Sequence, residues 1–329
     1  MRIAIFVLFL SLNCLADITD REDVKAFIAE TSKNTELSSE EIQNFLLNAE
    51  FVDRVIELRS NQPETTFSWN RYRNIFINSQ RVNKGASFVQ DNYELLHRIE
   101  QEMGVSKFYV AAIVGAETTY GANLGGFNPL DTISTLAFEV GSSFWQRELK
   151  ELLLLAKQYD INPKDMQSSW AGAIGIGQFI PSSYMAYGID YDDDEKVDLV
   201  GSLEDGLASV ANYLKVHGWD DSKRTINEIY LNENYSGLRD SDVKEVDFPF
   251  KVNNFNTKIT AESLQSSGLS NVSYEGQATP LVVYEGTRTK LYLGFDNFHV
   301  ITKYNRSSFY ALAIHQLAMA ISEKFNEKI

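Results

Sequence analysis

The most constraining stretch of this chain is Ala111 to Phe138, AAIVGAETTYGANLGGFNPLDTISTLAF, together with the residues that lead into it. Phe108, Val110, Ala111, Ile113 and Val114 are apolar around most of a helical circumference, so this segment has to be a buried helix around which the rest of the chain is organised. Set among those residues is one carboxyl group, Glu117, about one turn before Gly121, a natural helix stop. A carboxyl group at the end of an apolar helix loses solvation, which raises its pKa toward the range where it can donate a proton. Glu117 is therefore a candidate catalytic acid. The alternative at this point is a half-buried helix-end glutamate bonded to a neighbour, since perturbed carboxylates are often structural.

The start of the chain has the layout of an export signal. Met1-Arg2 supplies positive charge, Ile3 to Leu12 is almost unbroken apolar sequence, and Cys14-Leu15-Ala16 is a small-x-small site that places cleavage after Ala16. The apolar run falls short of the roughly 20 residues that span a bilayer, and no later segment reaches that length. The expectation is a soluble periplasmic protein with no transmembrane segment in its mature form. A lipid anchor on Cys14 is the rival reading, but Leu12 and Asn13 stand where a lipoprotein signal wants a small residue. Cleavage leaves 313 of the 329 residues and removes the single cysteine, so stability has to come without disulfides. That length supports a large core or several lobes. A formal net charge of −15 argues against a nucleic-acid ligand, which relies on clustered Lys and Arg, and against adhesion to anionic lipid.

Residues 17–105 read as a helical lobe. Ser38-Ser39-Glu40-Glu41 has the form of a capping box. Ile42, Phe45, Leu46, Ala49, Val52, Val55 and Ile56 then recur at three and four, predicting one amphipathic helix that ends at Asn61-Gln62-Pro63. A second periodic run goes from Phe88 to Met103 and stops at Gly104. Residues 106–220 read as a core of further helices: Ser106 as a cap, a helix over about Ser142 to Tyr159, and one over Leu203 to Trp219. Gln167 to Tyr187 interrupts them with a glycine-rich, charge-poor stretch, SSWAGAIGIGQFIPSS, that lets backbone approach a ligand or a neighbouring helix closely. It lacks the GK[ST] ending of a phosphate loop. Its polar groups toward any cleft are Ser169 and Gln178; a tightly packed turn is the other reading. In 221–296 the pattern becomes strand-like, with alternation over Val246–Val252, Leu281–Tyr284 and Thr289–Phe295. This predicts a small β-rich lobe inserted before 297–329 returns to the core with a helix over Ser307 to Phe325. The fold class is thus mainly α with a β addition.

Asp190, Asp192 and Asp194 have the 1-3-5 spacing of a calcium loop, with the Lys196 carbonyl at position seven. Glu195 stands where such a loop carries glycine, and Gly201 where it carries its closing glutamate. A solvated acidic loop is the competing interpretation.

Four segments together resemble the membrane-bound lytic murein transglycosylase B family: AIVGAETTYG (Ala112–Gly121), SWAGAIGIGQFIPSS (Ser169–Ser183), SVANYLKVHGW (Ser209–Trp219) and NFHVITKYNRSSFYALAIHQL (Asn297–Leu317). They occur in the family's order and spacing, and the similarity covers most of the mature chain. The resemblance implies a lysozyme-like helical core carrying a helical lobe and a β lobe. It implies cleavage of the β-1,4 bond between N-acetylmuramic acid and N-acetylglucosamine in peptidoglycan without water, leaving a 1,6-anhydromuramoyl end. It places the acid/base on Glu117 and glycan contacts on Ser169, Gln178, Tyr213, Tyr304, Asn305 and Tyr310. No cofactor is required; relatives that carry an EF-hand-like calcium site close it farther along, which here points to Glu204 or Asp205. Partners are glycan strands and complexes of wall enzymes. Ordinary glycosidases need two carboxyl groups, whereas Asp131, the nearest other acid, reads as structural. A single acid suffices when the substrate's own C6 hydroxyl is the nucleophile. A hydrolytic muramidase and a non-catalytic glycan-binding scaffold are the alternatives.

Overall fold

The computed structural model describes residues 18–60, 67–239 and 246–327. The export-signal reading of 1–16, with Cys14, and the Asn61-Gln62-Pro63 helix stop lie outside the described residues. Among those described, no helix is long and apolar enough to cross a membrane.

The first lobe consists of α1 (Glu22–Asn34), α2 (Ser39–Leu46), α3 (Asp53–Arg59), α4 (Trp69–Phe76), α5 (Ser79–Asp91) and α6 (Tyr93–Met103). The capping box forms as the sequence predicts: Ser38 Oγ accepts from the Glu41 N–H at 3.1 Å, and the Glu41 carboxylate accepts from the Ser38 N–H at 2.7 Å. The helix it starts does not run on to Ile56, however. Between α2 and α3 the Glu50 N–H donates to Asp131 Oδ1 at 2.8 Å and the Val52 N–H to Thr135 Oγ1 at 2.9 Å. Backbone donors that a helix would need are thereby taken by side chains of another element. The second run likewise divides, at Asn92 (φ −116°, ψ 28°), before ending at Gly104 with the left-handed φ of 66° that favours glycine there.

The core follows. Helix α7 (Lys107–Thr118) is buried over Tyr109 to Gly115, as its all-round apolar pattern requires. Ser106 does not cap it; the Lys107 N–H instead donates to Glu100 at 3.1 Å. Around it lie α8 (Pro129–Phe138), α9 (Ser143–Tyr159), α10 (Pro181–Tyr187) and α11 (Leu203–Val216). Asp131, in the first turn of α8, is buried and accepts from Lys164 Nζ at 2.9 Å as well as from Glu50, so its oxygens are engaged in holding α8 to its surroundings.

The strand-rich part holds β1 (Ile226–Ile229), the short helices α12 (Glu233–Ser236) and α13 (Ala261–Ser266), and the hairpin β2 (Thr279–Glu285) and β3 (Arg288–Gly294). The sheet is antiparallel in the order β1-β3-β2, with Ile226 opposite Gly294 and Leu281 opposite Tyr292. The alternation over Val246–Val252 does not yield a strand. Phe248, Phe250 and Val252 instead lean as loop residues on a separate small core of Leu231, Leu264, Leu269, Val282 and Leu293. Helices α14 (Asp296–Tyr304) and α15 (Ser308–Asn326) return the chain to the main core, α15 packing along both α7 and α5. Ser307 caps α15 through its Oγ.

Candidate active site

Glu117 sits half-buried in the last turn of α7. The helix ends in an unusual way. Thr119, Tyr120 and Gly121 have φ of 54°, 63° and 80°, and each non-glycine residue in that region costs about 1–2 kcal/mol. What holds them is contact. The Tyr120 ring lies over Gly115, where an added Cβ would come within 2.6 Å of it, and its hydroxyl donates to the Arg81 carbonyl at 2.9 Å. Arg81 in turn donates from Nη1 to the Gly115 carbonyl at 2.8 Å, satisfying a carbonyl at the end of the helix. Thr118 Oγ1 lies 3.0 Å from the Ile176 carbonyl and accepts from the Gly121 N–H at 2.9 Å. The backbone beneath Glu117 is thus fixed from α5 and from the glycine-rich loop.

That loop is a set of short antiparallel bridges, Phe127 to Ser168, Ser168 to Ile174 and Ile174 to Phe179. Ser169 shapes it: Oγ accepts from the Ala171 N–H at 3.2 Å and the Ala173 N–H at 3.1 Å. Gln178 has φ 53° and donates through Nε2 to the carbonyls of Gly175 at 3.0 Å and Leu124 at 3.3 Å. It links the loop to the segment following α7. Gly177 cannot carry a side chain, because a Cβ would stand 2.7 Å from Phe179 and Val210 and 2.9 Å from the Tyr304 hydroxyl.

One tyrosine bonds the acid and a second lies near enough to feel its charge. Tyr310, buried in α15, donates its hydroxyl to Glu117 Oε1 at 2.5 Å. Burial, and then the Glu117 carboxylate, push its phenol well above the ordinary tyrosine range, so it remains a donor throughout the working pH range. Tyr304, at the end of α14, donates to the Gly177 carbonyl. Its phenol is raised by the same two causes in the same order. Tyr213 stands one layer back: its ring centroid is 4.9 Å from that of Tyr304 and its hydroxyl donates to the Lys303 carbonyl at 2.7 Å. Asn305 is the half-buried C-cap of α14, next to Tyr304. Glu117 and Tyr310 are therefore in direct contact with Tyr304 close by, while Gln178 and Ser169 build the adjoining loop and Tyr213 packs on Tyr304.

Sequence reasoning missed Arg81 and Tyr72. Tyr72 is buried in α4 with its ring 5.9 Å from that of Phe309, and it adds to what keeps Tyr310 protonated. Neither residue lies in a motif. Thr118 and Tyr120 were within reach, being part of ETTYG.

The acidic loop lies apart, between α10 and α11. Asp190, Asp192 and Asp194 bring ligand atoms within 4.8 Å of one another. Glu195 takes φ 71°, the conformation for which a calcium loop places glycine at this position. Asp205 is buried beneath the loop and accepts from the N–H groups of Tyr191 at 2.7 Å and Asp198 at 2.8 Å. Glu204 faces Arg98 at 3.5 Å.

A buried helix ending in an acid, a glycine-rich loop beside it and a tyrosine bonded to that acid define a lysozyme-like enzyme fold. Comparison with known proteins gives the same class: residues 19–319 match the family model described as transglycosylase SLT domain, and the chain belongs to that family. It is 31% identical over 320 residues to membrane-bound lytic murein transglycosylase B of Escherichia coli, covering 93% of this chain and 84% of that protein. Its fold matches the E. coli lytic transglycosylase SLT35, solved in complex with calcium, with a TM-score of 0.81, 30% identity, and coverage of 94% and 95% of the two chains. It also matches SltB3 of Pseudomonas aeruginosa, solved with NAG-anhNAM-pentapeptide, with a TM-score of 0.75, 29% identity, and coverage of 91% and 78%.

Proposed function

We propose that this enzyme cleaves the β-1,4 MurNAc–GlcNAc bond of peptidoglycan and closes a 1,6-anhydro ring, with Glu117 as acid and then base. The observation that carries the reading is the Tyr310–Glu117 hydrogen bond, which sets a neutral donor on the Glu117 carboxyl group. Protonated Glu117 gives its proton to the glycosidic oxygen as the bond from C1 breaks. The muramoyl N-acetyl group stabilises the positive charge that develops at C1. Glu117, now a carboxylate held by Tyr310, takes the proton of the C6 hydroxyl as that oxygen closes on C1. Both reacting groups belong to one sugar, where orientation is worth roughly 7–11 kcal/mol, and general acid–base help adds about 10²–10⁴-fold.

Tyr304 and Asn305 line the sugar side in this reading, offering a ring for the apolar face of a pyranose and an amide for N-acetyl groups. Gln178 and Ser169 hold the loop against which the strand lies. The matches to the lytic transglycosylase SLT35 and to SltB3, solved with NAG-anhNAM-pentapeptide, support this assignment. Export to the periplasm fits such a substrate, as does a division into a leader at 1–16, a helical lobe at 17–105, a core at 106–220, a β lobe at 221–296 and a return to the core at 297–329.

The acidic loop suits a structural calcium ion held by Asp190, Asp192, Asp194 and the Lys196 carbonyl. The ion would offset three converging carboxylates. A fall in melting temperature on dialysis against chelator, reversed by calcium, is the expected result; no change rules the site out. For the reaction itself, purified sacculi are digested and the muropeptides weighed by mass spectrometry. Anhydro ends are expected from the native enzyme and none from Glu117→Gln. Reducing ends would replace this reading with a hydrolytic muramidase, and undiminished digestion by the variant would exclude Glu117 as the acid.

A further inference from the structure

Away from Glu117, a cavity of about 550 Å³ opens between α2 and the end of α9, within the ~300–1,000 Å³ range of small-molecule sites. It shares no residue with the active site. One wall is Glu41, Asn44 and Phe45 of α2, which the helical repeat places on one face, with Asn48 from the turn that follows; opposite stand Lys157, Asp160 and Asn162.

The chemistry of this lining is specific. Phe45 is half-buried, packed on the main core, and offers a ring as an apolar floor. Three side-chain amides line the cavity with it; Asn48 Nδ2 already donates to the Asn44 carbonyl at 3.0 Å, which leaves its second N–H and its oxygen for a ligand. The charges are largely neutralised in place, since Lys157 Nζ donates to Glu41 Oε1 at 2.8 Å and to the Glu36 carbonyl at 3.0 Å, bridging the two walls. Asn162 is held by its own turn, accepting from the Lys164 N–H at 3.2 Å and donating to Asp165 at 3.0 Å. A site with a ring floor, amides around it and its lysine already paired does not select an anion. It suits a neutral ligand that has an apolar face, hydroxyls and amide groups, and Asp160 adds an acceptor for a hydroxyl.

We propose that this cavity is a second glycan-binding site that holds an N-acetylhexosamine unit of the same polymer at a distance from the scissile bond. The inference rests on peptidoglycan being the substrate. Its effect is one of tethering: a strand held at two points is delivered to the cleft at a raised effective concentration, while a short soluble fragment that cannot reach both gains nothing.

The test uses the full chain and the variant Asn44→Ala/Asn48→Ala, both positions being exposed. Tri-N-acetylchitotriose is the binding probe, read by hydrogen exchange with mass spectrometry. Protection of peptides covering 41–48 and 156–162 in the native protein, lost in the variant, is expected. The variant should also show KM for insoluble sacculi raised about fivefold or more, with kcat/KM for a soluble GlcNAc–MurNAc tetrasaccharide unchanged. Protection confined to the cleft, or an unchanged KM for sacculi, overturns the proposal. A fall on both substrates alike also overturns it, since tethering spares the short one. Failure of the parent reading looks different: the native protein then yields no anhydro product from the tetrasaccharide, whatever the exchange pattern at 41–48.

Discussion

Replacing Tyr310 with phenylalanine isolates the contact on which the mechanism depends. The ring stays in its buried site and only the hydroxyl is lost, together with its 2.5 Å hydrogen bond to Glu117 Oε1. Hydrogen bonds to charged groups are worth about 1.5–3 kcal/mol. This one is at full strength when Glu117 is ionised, after it has given its proton to the leaving oxygen. Losing it raises the free energy of that state and of the transition state leading to it, which corresponds to a fall in kcat of about tenfold to 150-fold. With the carboxylate less stabilised, Glu117 keeps its proton to higher pH, so the alkaline limb of the rate profile moves upward. Folding should lose about 1 kcal/mol or less, because half-buried Glu117 can take water in place of the hydroxyl. Turnover of a soluble GlcNAc–MurNAc tetrasaccharide across pH, with urea denaturation alongside, reads all of these. Tyr213→Phe is the control: its hydroxyl serves the Lys303 carbonyl, so it should cost about 1 kcal/mol of stability and leave the profile in place. A Tyr310→Phe enzyme with kcat within about twofold of native and an unmoved profile would refute the assignment.

Three further outcomes follow from the packing around the site. Burial pushes His315 down to about 4 while Tyr109 bonds its Nδ1 at 2.6 Å. The unfolded chain therefore binds more protons below about pH 6.5, and stability should fall by on the order of 3 kcal/mol between there and pH 4; His315→Gln should flatten that slope in urea titrations. Burial raises Glu285, but hydrogen bonds from Gln316, Lys290 and Trp69 outweigh it and hold the carboxyl below its usual range. Its contribution is complete above about pH 4.3 and is lost as pH falls through the lower folded value, and Glu285→Ala should cost about 3 kcal/mol by calorimetry at pH 7. Gly115→Ala puts a methyl group 2.6 Å from the Tyr120 ring; a loss of about 1–3 kcal/mol in denaturant titration is expected, with reduced turnover because the end of α7 shifts.

The parts of the fold legible in the sequence are those decided within a few residues. The capping box at Ser38, the burial of α7 and the stop at Gly104 all depend on local spacing and local backbone preference. The interruption between α2 and α3 was hidden because its acceptors, Asp131 and Thr135, come from 81 and 83 residues away. Val246–Val252 shows the opposite failure, in which alternation suited a strand but the aromatic residues were claimed by a small core. Strand β1 was missed because INEI is short, half polar and at the sheet edge. In the site, periodicity pointed to Glu117 as an acid in the wrong place for a surface helix. It could not say which of the chain's tyrosines would meet it, since Tyr310 lies 193 residues away; only the resemblance selected that residue. Arg81 carries no local signal at all.

The polar partners around Glu117 bear on why one carboxylate can perform both proton transfers. A group that gives up a proton and takes one back needs its two states close in free energy. A lysine or arginine paired to it would hold it ionised and make it a poor acid, because charge-assisted pairs are roughly twice as strong as neutral ones. Here the contact on Oε1 is a phenol kept neutral by burial, and the neighbouring Tyr304 is kept neutral in the same way. Arg81 is close enough for its charge to be felt, and its guanidinium is shared with the helix-end carbonyl of Gly115, to which Nη1 donates. Meanwhile the position of Glu117 at the C-terminal end of α7, where the helix dipole disfavours negative charge, favours the protonated form. Opposing influences of moderate size thus act on one carboxyl group. Tyr310→Arg would tip that balance toward the carboxylate, so turnover of the soluble tetrasaccharide should fall by more than in Tyr310→Phe, with a cost in stability, read by urea denaturation, because the position is buried.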